Sequence, residues 1–176
     1  ILSTRITSMP RLENVLQAID AYNANDPHGK ELPYAKRLTD WVLRLNTAPS
    51  ETLRIAARGQ HIGRWTIPRD SYPMDRGGYL RWREDLKKFH AKTVSDFMAT
   101  EGYPESDIEH ARRIILKKNF QADLDAQTME DALCLLFLET QFEELHQKTP
   151  DPKMIDIIQK TWKKMSPKAK DIARAM

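Results

Sequence analysis

Cysteine occurs once, at Cys134, so no internal disulfide can form and a disulfide-stapled scaffold is excluded. Long apolar runs are also missing. The longest, Ala132 to Leu138, covers about a third of the roughly 20 residues that a membrane-spanning helix needs. The opening residues ILSTRITSMPRL carry neither a long apolar stretch nor a small-residue cleavage site, so no signal peptide is read there and an intracellular, cytoplasmic setting is expected. A glycine-rich phosphate loop, a dinucleotide fingerprint, a CxxC pair and a nucleophile elbow are all absent. With Cys134 set in the apolar run ALCLLFL, its thiol reads as a small buried hydrophobe. Period-two alternation never extends beyond four residues, which leaves no good strand.

What is present is helical period. Leu12, Val15, Leu16 and Ile19 form one stripe, opened by Ser8 as N-cap and Pro10 in the first turn. The polar run from Asn23 to Lys30 breaks it. A second helix is expected over Glu31 to Leu45 and a third from Glu51 to about Gly63. The two-proline stretch WTIPRDSYPMD, residues 65–75, has no period and reads as an ordered loop, with Asp75 capping a long helix that runs to about Thr100. A fifth helix spans about Glu105 to Lys118. Thr128 to Asp131 resembles a capping box at the start of a nearly all-apolar, central helix ending near His146. Two short helices follow, around Met154 to Met165 and after Ser166-Pro167. The expected fold is a single all-α domain over residues 1–176, a bundle of seven or eight helices.

Charge is unevenly spread. The net charge is +3 and the pI about 9.0, but residues 54–92 carry ten Lys/Arg against four Asp/Glu, while residues 93–146 carry four against twelve. The basic stretch interleaves Arg58, Arg64, Arg69, Arg76, Arg81 and Arg83 with Trp65, Tyr72, Tyr79 and Trp82. Arginine suits planar, bidentate contact with phosphate, and aromatics offer rings to stack on. Arg58, Arg64 and Arg69 are the expected anion binders, while Arg81, Lys87 and Lys88 suit a solvated helix face. The loop should wall the main pocket through Trp65 and Tyr72, with Arg69 pointing inward. Of the five histidines, His110 lies on the polar face of its helix and His146 ends one, whereas His61 follows the small-residue run Ala56-Ala57-Arg58-Gly59, which lets another helix approach, and His90 falls on the apolar stripe of a neighbouring helix. Glu130, Asp131 and Glu31 lie in first helical turns, where they either cap or point into a bundle-core pocket.

The segment LRIAARGQHIGR, residues 53–64, resembles the metal-binding helix of HD-domain phosphohydrolases. YAKRLTDWVLRL, from Tyr34, is similar to that superfamily's first-ligand helix, and Glu130-Asp131 before ALCLLFLE to the helix bringing its last aspartate. Tyr34 stands where the first histidine would be, and Gln60-His61 where His-Asp would be. Closer still, ELPYAKRLTDWVLRL, the run from Leu53 to Ala91 and MEDALCLLFLETQF resemble the blocks of a family catalogued as domain of unknown function 4202, sometimes labelled glutamyl-tRNA-synthetase-like. The resemblance implies an HD-like bundle. It also implies a metal-dependent hydrolase of phosphoesters, possibly of nucleotides, that uses a divalent metal (Mn, Zn or Fe). His61, His90 and Asp131 would then be the metal ligands, and Glu130 or Glu31 would complete the site or act as base. Arg58, Arg64, Arg69 and Tyr72 would hold the substrate. Such a site needs His61 and His90 within about 8 Å of one another. The wider superfamily also holds dinuclear-iron oxygenases. A third expectation, from a different class, is a non-catalytic module with a decayed HD site that binds a nucleotide, RNA or a partner protein; the expected partner overall is a small anionic, phosphorylated ligand, with no membrane role.

Overall fold

The three- and four-residue apolar spacings become helices throughout the computed structural model, which describes residues 10–118 and 122–176. In chain order these are α1 (Arg11–Asn23), α2 (Glu31–Leu45), α3 (Glu51–Gly59), α4 (Arg76–Thr100), α5 (Glu105–Leu116), α6 (Leu124–Thr140), α7 (Phe142–Lys148), α8 (Asp151–Lys164) and α9 (Pro167–Arg174). Two 3-10 turns, Arg64–Thr66 and Arg69–Ser71, lie within the stretch between α3 and α4. No strand occurs among the described residues, and none of their helices is long and apolar enough to cross a membrane. The fold is all-α.

Side-chain caps fix several starts. Ser50 Oγ accepts from Leu53 N at 3.0 Å, Asp75 Oδ1 from Gly78 N at 2.6 Å, and Ser166 Oγ from Ala169 N at 3.2 Å. The expected cap Ser8 lies outside the described residues; α1 begins after Pro10 with no side-chain cap. At α2 the carboxylate of Asp26 accepts from the backbone N–H groups of His28, Lys30 and Glu31 at 2.8–3.0 Å, which pins the turn carrying Glu31. Those hydrogen bonds hold the Asp26 carboxyl below its usual range despite partial burial.

α6 occupies the middle. It packs on α2, α3, α5, α7, α8 and α9 and buries Met129, Leu135 and Leu136 almost completely. Leu38 and Val42 of α2, Leu53 and Ala56 of α3, and Ile114 and Ile115 of α5 join the same cluster. Each such Leu, Ile, Val or Met side chain contributes roughly 1.5–3 kcal/mol by leaving water. Cys134 belongs to this core, and burial pushes its thiol up to about 12.

Three boundaries differ from the sequence reading. α6 starts earlier, because Asp123 accepts from Asp125 N and Ala126 N and so caps the helix five residues before Thr128. Thr128 is an interior residue whose hydroxyl donates to Leu124 O. The helix also does not run through to His146. Thr140 donates back to Leu136 O at 2.7 Å, an interior bond that bends helices, and Gln141 leaves helical geometry at φ −122°. This break raises the count to nine α-helices among the described residues. Finally, α3 ends at Gly59, because Gly63 takes a left-handed φ of +64° and turns the chain.

Candidate functional site

The site grows from the end of α3. A Cβ on Gly59 would sit 2.2 Å from Val94 Cγ2, so this glycine lets α3 and α4 touch. The chain then delivers Gln60 and His61 to that seam and swings back at Gly63, whose N–H donates to Asn23 Oδ1 at 3.2 Å. On α4 the residues Arg83, Leu86, Lys87 and His90, spaced by three, one and three, share one face toward the seam. From α5 comes Lys117, held in left-handed geometry at φ 58°. Together with Gln60, His61 and Arg64 these residues line a pocket of about 50 Å³. That is room for a few water molecules or one tetrahedral oxyanion, but not for a sugar or a base ring.

Its two imidazoles are neutral. His90 is 2% exposed, and its Nδ1 lies 2.7 Å from the carbonyl of Ile62. A carbonyl only accepts, so Nδ1 carries the proton and Nε2 holds the lone pair. Burial, reinforced by the charge of Arg64, lowers His90 to about 4. His61 stacks flat on Tyr34, with ring centroids 4.3 Å apart and 6° between planes. Burial drives its pKa well below the ordinary value, helped by the nearby Arg64 and His90. The His61 and His90 rings are 6.0 Å apart. Glu31 Oε2 approaches His61 Nδ1 at 3.9 Å, and burial raises its carboxyl to about 7 against the opposing pull of Arg64.

The walls are cationic. Arg64 stacks its guanidinium over Trp82 at 4.8 Å, and Arg83 donates to the Tyr79 hydroxyl at 3.3 Å. Neither arginine has a carboxylate within 4.0 Å among the described residues, whereas Lys87 pairs with Glu84 at 2.8 Å. Lys117 pairs with Glu130 at 3.3 Å; burial depresses its pKa and that carboxylate pulls it back. Glu130 also meets Lys164 at 3.5 Å, which ties the pocket wall to α8. Among the described residues two buried acceptors, Gln60 Oε1 and His90 Nε2, have no hydrogen-bond partner.

Of the sequence-derived candidates, His61, His90 and Arg64 line this pocket, Glu31 touches it through His61, and Glu130 through Lys117. The others are placed elsewhere. Both oxygens of Asp131 are taken by Ser166 (N at 2.8 Å, Oγ at 2.6 Å), and Gln127 Nε2 adds a third bond at 3.0 Å, so this carboxylate fastens the turn into α9 instead of facing the imidazoles. Arg58 forms a two-oxygen ion pair with Asp20 of α1 at 2.8–2.9 Å and donates to Thr39 of α2. Arg69 does not point inward: it donates to the carbonyls of Tyr72 and Asp75, bracing its own loop. Tyr72 donates to Asp85 at the surface, and Trp65 packs against Tyr22, so neither walls the pocket. Among the described residues no group of three or more His, Cys, Asp or Glu could hold a metal ion.

Gln60, Arg83, Lys87 and Lys117 were not anticipated as site residues. The first three carried a signal, since Gln60 adjoins His61, and Arg83 and Lys87 stand seven and three residues before His90 on one helix face. Lys117 carried none, because only the packing of α5 brings it there. Larger, more open grooves among α6 to α9, lined by Phe142, Ile158 and Trp162, gather no such set of charges.

A family model described as a domain of unknown function (DUF4202) matches residues 13–176. No curated protein and no solved structure matches the chain.

Proposed function

We propose that this chain, which belongs to the domain of unknown function 4202 family, binds a small phosphorylated ligand in the cationic pocket between α3, α4 and α5. The observation that carries this reading is the pair Arg64 and Arg83, two guanidiniums on the pocket wall with no carboxylate within 4.0 Å among the described residues, reinforced by Lys87 and Lys117. Guanidinium grips phosphate through paired N–H donors, and ammonium adds point charge. The volume takes the phosphoryl group alone, so the rest of the ligand lies outside the pocket.

The HD-type readings, phosphoester hydrolysis with a divalent metal and dinuclear-iron oxygenation, draw support from the 6.0 Å between His61 and His90 and from Glu31 beside them. The donor set fits a dication poorly. Asp131 is consumed by Ser166 and Gln127, Tyr34 and Gln60 stand at two of the superfamily's ligand positions, and four cations border the space. In our reading the HD-like bundle keeps the cavity and has exchanged metal donors for anion donors.

Calorimetric titration of the full chain with inorganic phosphate, in the presence of EDTA, tests this. Binding is expected without metal, and Arg64→Ala should weaken it by the roughly 1.5–3 kcal/mol of a charged hydrogen bond, about ten- to a hundredfold, while the melting temperature holds. Binding that appears only after Mn²⁺ or Zn²⁺ is added would return the hydrolase reading to first place.

A further inference from the structure

Cations alone would make the pocket indifferent among oxyanions of similar size and charge. The two buried acceptors change that. Gln60 is 4% exposed and His90 2% exposed, both line the pocket, and Gln60 Oε1 and His90 Nε2 find no donor among the described residues. His90 cannot satisfy Nε2 by changing tautomer, because Nδ1–H is committed to the carbonyl of Ile62 at 2.7 Å. A buried acceptor left without a donor is destabilising, so a ligand that brings an O–H relieves it, and one presenting only lone pairs meets repulsion there.

Building on the phosphate-binding reading, we infer that the pocket selects a protonated phosphoryl group, inorganic phosphate or a phosphomonoester carrying one O–H, over sulfate and over phosphodiesters. The arginines and lysines take the charged oxygens, and the protonated oxygen donates to Gln60 Oε1 or His90 Nε2. Sulfate near neutral pH carries two negative charges and a diester one, and neither has a proton to give. A monoester loses its last proton with a pKa near about 6, whereas the dianion of inorganic phosphate keeps one well above that.

Calorimetry on the full chain, at constant ionic strength between about pH 5.5 and 8, compares inorganic phosphate, sulfate, methyl phosphate and dimethyl phosphate. Inorganic phosphate should bind about tenfold or more tightly than sulfate at every pH. Methyl phosphate should match inorganic phosphate at the acid end and fall behind as the pH passes about 6. Gln60→Met, which removes one of the two acceptors at nearly constant shape, should narrow the gap from both sides, lowering phosphate affinity and raising that of sulfate, while His90 Nε2 retains part of the preference. Should that variant fail to fold, the wild-type comparison of phosphate with sulfate and methyl phosphate decides alone. Equal affinities for phosphate and sulfate would overturn the selectivity while leaving anion binding intact. Absence of binding by all four anions would overturn both.

Discussion

Glu31 and His90 answer pH in opposite directions. Glu31 is raised from 4.5 to about 7, so the folded chain keeps a proton that the unfolded chain has lost, and its contribution to stability falls as pH rises through that window. His90 is lowered from 6.5 to about 4, so the unfolded chain takes up a proton that the folded chain refuses, and stability falls as pH drops through that window. His61, also lowered, acts in the same sense as His90. Between about pH 4.5 and 6.5 the carboxyl therefore offsets part of the imidazole effect. Glu31→Gln removes the offset, and chemical denaturation should show stability falling on acidification more steeply than in the wild type, by about 1.4 kcal/mol per pH unit. Parallel slopes would show that Glu31 titrates as an ordinary carboxyl. Asp131 offers a second residue-scale test. Asp131→Asn removes charge and acceptor capacity from three bonds at the turn into α9, and should cost about 1–3 kcal/mol of stability without touching phosphate affinity. A metal ligand would show the reverse pattern.

Among the elements, the contact of α3 with α4 carries the site, and its tolerance is small. Gly59→Ala places a methyl group 2.2 Å from Val94 Cγ2, on a residue that is fully buried. Pushing the helices apart should cost about 1–3 kcal/mol and displace His61 from His90, so thermal melting and phosphate binding should decline together. A stable variant with native affinity would mean the seam yields more than its packing implies. The sequence carried the elements well, because apolar spacing, Ser50, Asp75 and Ser166 are local signals. It carried the site in part. His61 was legible from the small residues Ala56, Ala57 and Gly59 before it, His90 from its apolar stripe and Arg64 from the basic stretch. Asp131 and Arg58 were not, since a carboxylate in a first turn and an arginine on a helix look alike whether they meet a ligand or another helix. Only tertiary packing supplies Ser166 to one and Asp20 to the other. The α6 start was misplaced for a similar reason: Asp123 has the stronger cap, its other oxygen held 2.7 Å from His110 of α5.

At the scale of the whole molecule, four tryptophans sample four separate places. Trp41 of α2 donates to Glu139 of α6, Trp65 packs on Tyr22, and Trp162 lies under Arg174 near the C-terminus. Trp82 alone lies beneath a pocket cation, its indole N–H donating to Ile67 O at 2.8 Å and its face covered by Arg64 at 4.8 Å. An anion that draws Arg64 toward itself thins that cover and changes the electric field across one indole, leaving the other three as they were. The protein thus contains its own optical gauge of occupancy. Titrating inorganic phosphate should shift tryptophan emission saturably, with the midpoint found by calorimetry, and Trp82→Phe should abolish the shift while the remaining emission persists. A shift that survives in that variant would place the ligand beside another tryptophan.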